Sequence, residues 1–309
     1  MKNPLNTRAS ALLLAALCVG TATACSASSA SASVGPVRTP PPLSVPFDAK
    51  NPATWTLPIQ GYLPSDSGRT QLLQAKKQLV GDCMKEYGFS WSPAPDLPRI
   101  GGKTFVDWRY GIHDLELAKR RGYKPDADDQ AAYDKAMHEG VGEEEERSRA
   151  ESQMLDGSGP AEVNGVKVPE GGCLGRADRK IDIEAAQTST AQQISAQTFV
   201  QSKSVGEVVK AFAAWSACMK EKGYTYAAPL DASDDPRFGS AEVSPEEIAT
   251  ATADILCRDR TNVAKIWYDA ETDMQTEAIE DKAEQLEEEA DALDGAVKKA
   301  ADVVAGAAR

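Results

Sequence analysis

A nine-residue stretch that occurs twice constrains the fold of this chain more than any other feature. Residues 83–91 read CMKEYGFSW, and residues 218–226 read CMKEKGYTY. Each copy places a Cys-Met pair on an apolar helical face, followed by a glycine that ends the helix and an aromatic residue beyond it. The chain is therefore predicted to consist of two related halves, each with a helix whose C-terminus is joined to another element.

The N-terminus has the pattern of a secretory signal peptide. Lys2 and Arg8 accompany an apolar run, and residues 22–24, Ala-Thr-Ala, fit a small-residue cleavage site. Cys25 follows directly, which resembles a bacterial lipobox, in which this cysteine receives lipid and becomes the mature N-terminus. Ala-Thr-Ala also suits ordinary signal peptidase, so a freely secreted protein with an incidental Cys25 is the alternative. The favoured prediction is a lipid anchor that attaches the protein to the outer face of the cell membrane.

Charge and composition limit the classes of partner and fold. Removing residues 1–24 changes the formal net charge from −13 to −15, and such an acidic chain repels the phosphates of nucleic acid. Few aromatic residues and many Ala, Glu and Lys favour helices. The predicted organisation is a signal peptide (1–24), a lipidated Cys with a disordered Pro/Ser/Ala tether (25–66), a first helical half (67–203), and a second helical half with a long C-terminal helix (204–309).

Large apolar side chains in the predicted tether indicate that part of it is not a flexible linker. Its Pro, Ser and Ala content favours extended, solvated chain. Trp55, Ile59 and Tyr62 are unusual in a linker. We therefore expect the part after Pro52 to lie against the folded body.

The fold class predicted for the body is mainly α, stapled by disulfides, with one small β-hairpin near residues 163–168. Helices are predicted over about 69–86 and 174–202. Ser204 and Glu207 have the spacing of a capping box, which predicts the start of the second repeat helix. Ser244 before Pro245 predicts another helix start, because serine caps a helix and proline suits its first turn.

A long helix is predicted at the C-terminus. Apolar residues from Ile279 to Val304 alternate steps of four and three, which is the spacing of a coiled-coil seam. If continuous from Pro245 to Val304, the helix would be about 90 Å long at 1.5 Å per residue. Gly295 is the expected weak point.

The same C-terminal region is strongly acidic. Between Glu271 and Asp294 the local formal charge is −10, with Lys282 as its one basic residue. Such a helix repels a parallel copy of itself, which favours an internal partner or a basic partner protein of the cell envelope. An intramolecular seam with a solvated acidic face is the alternative.

Four cysteines remain in the body, at positions 83, 173, 218 and 257, and they permit three pairings. In each half the Cys-Met helix is followed by one further cysteine that precedes an Arg- and Asp-rich stretch. We therefore predict that Cys83 pairs with Cys173 and Cys218 with Cys257. A four-thiolate zinc site is the alternative, which the absence of Cys-x-x-Cys spacing and an oxidising compartment disfavour.

Catalytic signals are weak. The sequence contains none of the common nucleophile, nucleotide-binding or metalloprotease motifs, and His113 and His138 have the positions of solvated helix-end residues. The run Glu143 to Glu146 lacks the alternating ligands and sharp glycine turn of a calcium loop. Carboxylates could in principle hydrolyse cell-wall glycan, and the weak candidates are Asp96, Asp107 and Glu116. We predict no catalytic residue, no cofactor and no metal site.

Several motifs together resemble a known family. They are Cys25 after the leader, the two Cys-Met-Lys-Glu-x-Gly-aromatic repeats, Trp108-Arg109-Tyr110-Gly111, Gly171-Gly172-Cys173, and Cys257-Arg258 before Thr261-Asn262. This set is similar to uncharacterised secreted lipoproteins of actinobacteria, over nearly all of the mature chain. The resemblance implies the location and the disulfides, and it transfers no catalytic residue.

The function expected from these features is that of an extracytoplasmic, membrane-anchored lipoprotein that acts as a binding or scaffold module of the cell envelope. An accessory subunit of an envelope ABC transporter or efflux assembly is one alternative, suggested by the long seam. A cell-wall hydrolase is the least favoured alternative.

Overall fold

The structure, a computed structural model, describes residues 37–93, 96–139, 147–159, 161–163 and 165–307. The predicted leader, Cys25 and the run Glu143 to Glu146 lie outside the described residues. As predicted, the body is mainly helical. Its α-helices are α1 (Asp66–Glu86), α2 (Leu115–Arg121), α3 (Ala127–His138), α4 (Arg149–Asp156), α5 (Gly172–Ile181), α6 (Ser189–Ser202), α7 (Gly206–Glu221), α8 (Pro229–Ser233), α9 (Pro245–Thr261), α10 (Val263–Asp281) and α11 (Ala283–Ala307).

Local capping explains where several helices begin. The side chains of Ser65, Asp114 and Ser244 each accept a hydrogen bond from the backbone N–H three residues later, which satisfies a donor that the helix leaves unpaired. The predicted cap at Ser204 is wrong. Ser204 instead belongs to the turn that closes α6, where its backbone N–H donates to Gln201, and α7 begins without a side-chain cap.

The helix predicted over 174–202 is two helices, α5 and α6. Asp182 takes a left-handed conformation with φ 52° and ends α5. The N-terminus of α6 is capped from far along the chain, because the Glu289 carboxylate accepts from the Thr190 backbone N–H at 3.1 Å and from the Thr190 hydroxyl at 2.6 Å. A cap supplied by a residue 99 positions away leaves no local signal in the sequence.

The C-terminal region is not one continuous helix but three. Asn262, with φ 53°, ends α9, and asparagine tolerates this conformation better than most residues. Lys282 separates α10 from α11. Gly295, the expected weak point, lies inside α11.

The apolar seam of α11 is buried within the chain's own core. Leu286 and Ala290 pack in a cluster that also contains Trp55 and Ile59. These two residues belong to the described chain before α1, residues 37–65, which we call the N-terminal segment. Further along, α11 contributes to a second cluster with residues of α1 and α5, whose buried members include Leu72, Ala75, Ile181, Leu293, Ala296 and Ala300. The seam is therefore part of the fold, which is the intramolecular alternative, and the expectation that its apolar face is kept for a partner is wrong.

Two disulfide-linked helix pairs, which we call staple modules, carry the sequence repeat. In module 1 Cys83 of α1 joins Cys173 of α5, and in module 2 Cys218 of α7 joins Cys257 of α9, as predicted. The paired Cα atoms are 5.6 and 5.7 Å apart. Three residues after each cysteine an ion pair repeats the link: Glu86 with Arg176, and Glu221 with Arg260.

The helix ends in the two modules also match. Gly88 and Gly223 have φ of 80° and 92°, a conformation that glycine adopts without steric cost. The backbone N–H of the aromatic residue that follows each glycine reaches back at 3.0 Å to the carbonyl of the methionine in the Cys-Met pair. The repeat is thus one helix-ending motif used twice.

The predicted hairpin is present as strands β1 (Glu162–Val163) and β2 (Val166–Lys167), paired antiparallel across Gly165. The N-terminal segment also packs as expected after Pro52. It forms two short 3-10 helices, Pro52–Thr54 and Pro58–Tyr62, and Trp55, Leu57, Ile59 and Tyr62 are buried. The range 25–66 that we predicted to be disordered therefore includes core residues, because these large apolar side chains gain more from burial than from solvation.

Removing either disulfide should destabilise the body. In the chain-entropy model the loops correspond to about 4.6 kcal/mol for Cys83–Cys173 and about 4 kcal/mol for Cys218–Cys257, and measured losses are more often about 2 to 4 kcal/mol. We expect each double Cys→Ser variant to lose free energy of unfolding on this scale in urea titrations. Non-reducing peptide mapping of the wild type should recover these two linkages, and a Cys83–Cys218 peptide would contradict the module arrangement.

Candidate functional site

The carboxylates considered for glycan hydrolysis are not assembled into a site. Asp96 pairs with Lys77 at 3.0 Å and Glu116 with Lys119 at 2.6 Å, both at the surface. Asp107 is buried and pairs with a different residue, His113. No hydrogen bond among the described residues joins any two of the three carboxylates. Their geometry gives no acid and base pair.

Asp107 and His113 form a close pair. The His113 Nε2 lies 2.5 Å from one Asp107 oxygen, and the Lys103 backbone N–H donates to the other oxygen at 2.5 Å. Burial works against ionisation of Asp107, but the bonds from His113 and Lys103 outweigh it and hold its pKa below the usual range. The pair fixes the loop that leads into α2. The other histidine, His138, is exposed at the end of α3.

Two buried carboxylates, Glu271 and Asp254, organise the centre of the body. Glu271 accepts from the Arg109 guanidinium, from the Tyr110 hydroxyl at 2.7 Å and from the Gln275 amide at 2.9 Å. Because burial and the Glu271 charge raise the pKa of Tyr110, its hydroxyl remains a donor. A buried carboxylate needs such donors, since an unpaired buried charge is costly.

Asp254 is held in the same way. It accepts from Arg258 Nε at 2.7 Å and from the indole N–H of Trp215 at 2.8 Å, and Tyr123 donates to its second oxygen at 3.3 Å. Burial raises its pKa, and the Arg258 charge and these hydrogen bonds oppose that rise. The remaining Arg258 nitrogens donate to the backbone carbonyls of Tyr110 and Pro229.

The Trp108-Arg109-Tyr110-Gly111 motif is therefore the structural link between the two carboxylates. Arg109 and the Tyr110 hydroxyl bind Glu271, while the Tyr110 carbonyl accepts from Arg258. A glycine is required at position 111, where φ is 104°, because a Cβ there would lie 2.4 Å from the Arg258 guanidinium. Neither carboxylate is exposed to solvent, so this network serves the architecture of the body.

A cavity of about 50 Å³ lies beside this network and is the best candidate for a binding site. Its walls come from three places: the N-terminal segment, the turn after Tyr110, and the junction of α9 and α10. The lining residues that could contact or select a ligand are Lys50, Trp55, Ile112, His113, Ile255, Arg258, Asp259, Asn262 and Lys265.

Little in the amino-acid sequence indicates this cavity. Lys50 and Trp55 lie in the range predicted to be a tether, where only the unusual presence of an aromatic residue marked the segment. Asn262 is a helix end in what was predicted to be a continuous helix. A cavity between three segments that are far apart in sequence leaves no local pattern.

Arg38 links the N-terminal segment to α11 through three ion pairs, which we call the Arg38 clasp. Its guanidinium binds Glu287 at 2.7 Å, Asp291 at 2.5 Å and Asp294 at 2.7 Å. Hydrogen bonds to these carboxylates, that to Asp294 first, raise its pKa against the opposing effect of burial. Part of the negative charge between Glu271 and Asp294 is thus neutralised by a residue of the same chain. The sequence offered no signal for this contact.

Three further findings concern the class of protein. None of the described helices combines the length and the apolar character needed to cross a lipid bilayer. Among the described residues, no group of three or more His, Cys, Asp or Glu side chains is arranged to hold a metal ion. Comparisons with protein-family models, curated proteins and solved structures give no match for the chain.

Gly111→Ala should destabilise the body by about 2 to 4 kcal/mol, through backbone strain at positive φ and displacement of the Arg258 guanidinium. Gly295→Ala is the matched control, since nothing lies within 4 Å of a Cβ there and alanine favours the helix. Urea titration should show opposite changes in the free energy of unfolding. Equal changes would contradict the role assigned to Gly111.

Arg38→Ala should loosen the N-terminal segment with little effect on global stability, because exposed ion pairs contribute about 0 to 1 kcal/mol each. Hydrogen exchange of peptides from residues 37–47 should accelerate in the variant. In the wild type 1 M salt should have the same effect, through screening. Arg69→Ala, which removes a surface ion pair within α1, is the control. Unchanged exchange in Arg38→Ala would show that the clasp does not hold the segment.

Proposed function

We propose that this protein is an extracytoplasmic lipoprotein, anchored to the outer face of the cell membrane through lipid on Cys25, whose stapled helical body acts as a binding or scaffold module of the cell envelope. The observation that carries the proposal is the pair of disulfides, Cys83–Cys173 and Cys218–Cys257. Stable disulfides favour an oxidising compartment outside the cytoplasm, and the leader before Cys25 supplies the route there. A place among secreted actinobacterial lipoproteins is part of this proposal.

The body suits binding or assembly better than catalysis. Its best-buried charges, Glu271 and Asp254, are fully engaged by partners in the core. The cavity beside Trp55 offers apolar walls and a few polar groups, which is the usual composition of a ligand site.

A protein partner on the C-terminal helices remains part of the proposal in a narrower form. The apolar seam of α11 is occupied by the chain's own core, so a partner would have to meet the outer acidic surface. The exposed carboxylates on that surface without a described ion pair are Asp273, Glu277, Glu280, Asp281, Glu284 and Glu288. A basic surface is the matching chemistry.

Replacement of Cys25 tests the anchor. In Cys25→Ala cells the protein should appear in the medium or persist as unprocessed precursor, whereas wild-type protein should fractionate with membranes. Mass spectrometry of the wild-type N-terminal peptide should show the added lipid on Cys25. Cys18→Ala, which changes the other cysteine of the N-terminal region, is the matched control and should leave membrane retention intact. Full retention of Cys25→Ala would overturn the anchor.

A further inference from the structure

We propose that the cavity between the N-terminal segment and the α9–α10 junction binds small monocarboxylates that carry an apolar group. This gives a ligand class to the binding role proposed above and rests on that role, but it is independent of the lipid anchor. It follows from the shape of the cavity, its floor and the charges at its rim.

The floor of the cavity is apolar. Trp55 and Ile255 are each 1% exposed and Ile112 is 9% exposed. The indole N–H of Trp55 donates to the Asp48 carbonyl at 2.6 Å, so its polar atom is already satisfied by the N-terminal segment. The walls of the cavity at these three residues are aromatic and aliphatic, which favours an apolar group, and Ile112 contributes the most accessible part.

The volume limits what enters. About 50 Å³ exceeds the space that a single water needs, but it is well below a cavity that encloses a benzene ring. A ligand would therefore place only part of its apolar group inside and keep its polar end at the mouth.

The rim selects the charge of that polar end. Arg258 is committed to Asp254 and two carbonyls, and Lys265 is paired with Asp269 at 2.6 Å. Lys50 is exposed at the rim, and no ion pair involves it in the described part of the chain. Its ammonium is thus the cation at the rim that is available to a ligand.

Helix ends do not alter this conclusion. The C-terminus of α9 and the N-terminus of α10 meet at Asn262, so their partial charges are of opposite sign and offset each other. The side chains at the rim therefore decide the selectivity.

A single negative charge fits this rim better than two. Asp259 also lines the cavity, and the chain as a whole has a formal net charge of −13. Both disfavour inorganic phosphate, which carries more charge and no apolar group. A cationic ligand would meet the Lys50 ammonium. A monocarboxylate with an apolar body satisfies Lys50 and covers the accessible part of the apolar floor together.

The test is a calorimetric titration of the full mature chain with 3-phenylpropionate, with its neutral amide as the matched probe. We expect saturable binding of the acid, and about tenfold weaker binding of the amide, because the Lys50 ammonium then donates to a neutral oxygen in place of a charged carboxylate. Inorganic phosphate should not compete. Failure of the acid to bind, or equal affinity for acid and amide, would overturn the proposal.

Two variants locate the site. Lys50→Gln should remove the preference for the acid over the amide, whereas Lys210→Gln, an exposed lysine on α7, should leave it unchanged. Ile112→Trp should fill the cavity and reduce binding of both probes. Melting temperatures of all variants verify folding. An acid preference that survives in Lys50→Gln would contradict the assigned role of Lys50, whatever the outcome of the Cys25 experiment.

Discussion

Two carboxylates without solvent contact, on Glu271 and Asp254, impose the main constraint on this molecule. A buried charge is tolerated only when an opposite charge and further donors surround it, and losing one partner costs about 3 to 5 kcal/mol. The donors come from the 109–110 segment, from Tyr123 after α2, from Thr198 of α6, from α7, and from α9 and α10 themselves. Satisfying both carboxylates therefore brings together elements that no sequence neighbourhood would join. The buried Arg258 completes the arrangement by reaching the carbonyl of Tyr110.

The two staple modules share a motif but have different surroundings. Module 1 packs against α11 and the β-hairpin region, and its interior is apolar around Val80 and Met84. Module 2 contains the buried pair of Asp254 and Arg258 together with Trp215, the residue three positions before Cys218. The position three before Cys83 is Val80. The same helix-ending motif thus supports two different cores. Among the described residues, the hydrogen-bonded network around Asp254 belongs to module 2 alone.

The sequence predicted features that depend on near neighbours and missed those that depend on distant ones. The helix start at Ser244, the hairpin, the α11 seam and both disulfides follow from spacing and capping chemistry. The start of α6, inside the range 174–202 that was predicted to be one helix, depends on a cap from Glu289. The ion pairs of Arg38 depend on carboxylates of α11. The cavity beside Trp55 is built from three separate segments. Such contacts are selected by packing, and no periodicity encodes them.

The disulfides also determine how the body responds to mechanical tension. A pull on its two ends extends only the chain outside the covalent loops, and these loops span sequence separations of 90 and 39 residues. While the bonds are intact, α2, α3 and α4 lie inside the first loop and carry no load, and the same holds for α8 in the second. The maximum extension of the protein is consequently set by its thiol oxidation state, and reduction would release these segments into the stretched chain.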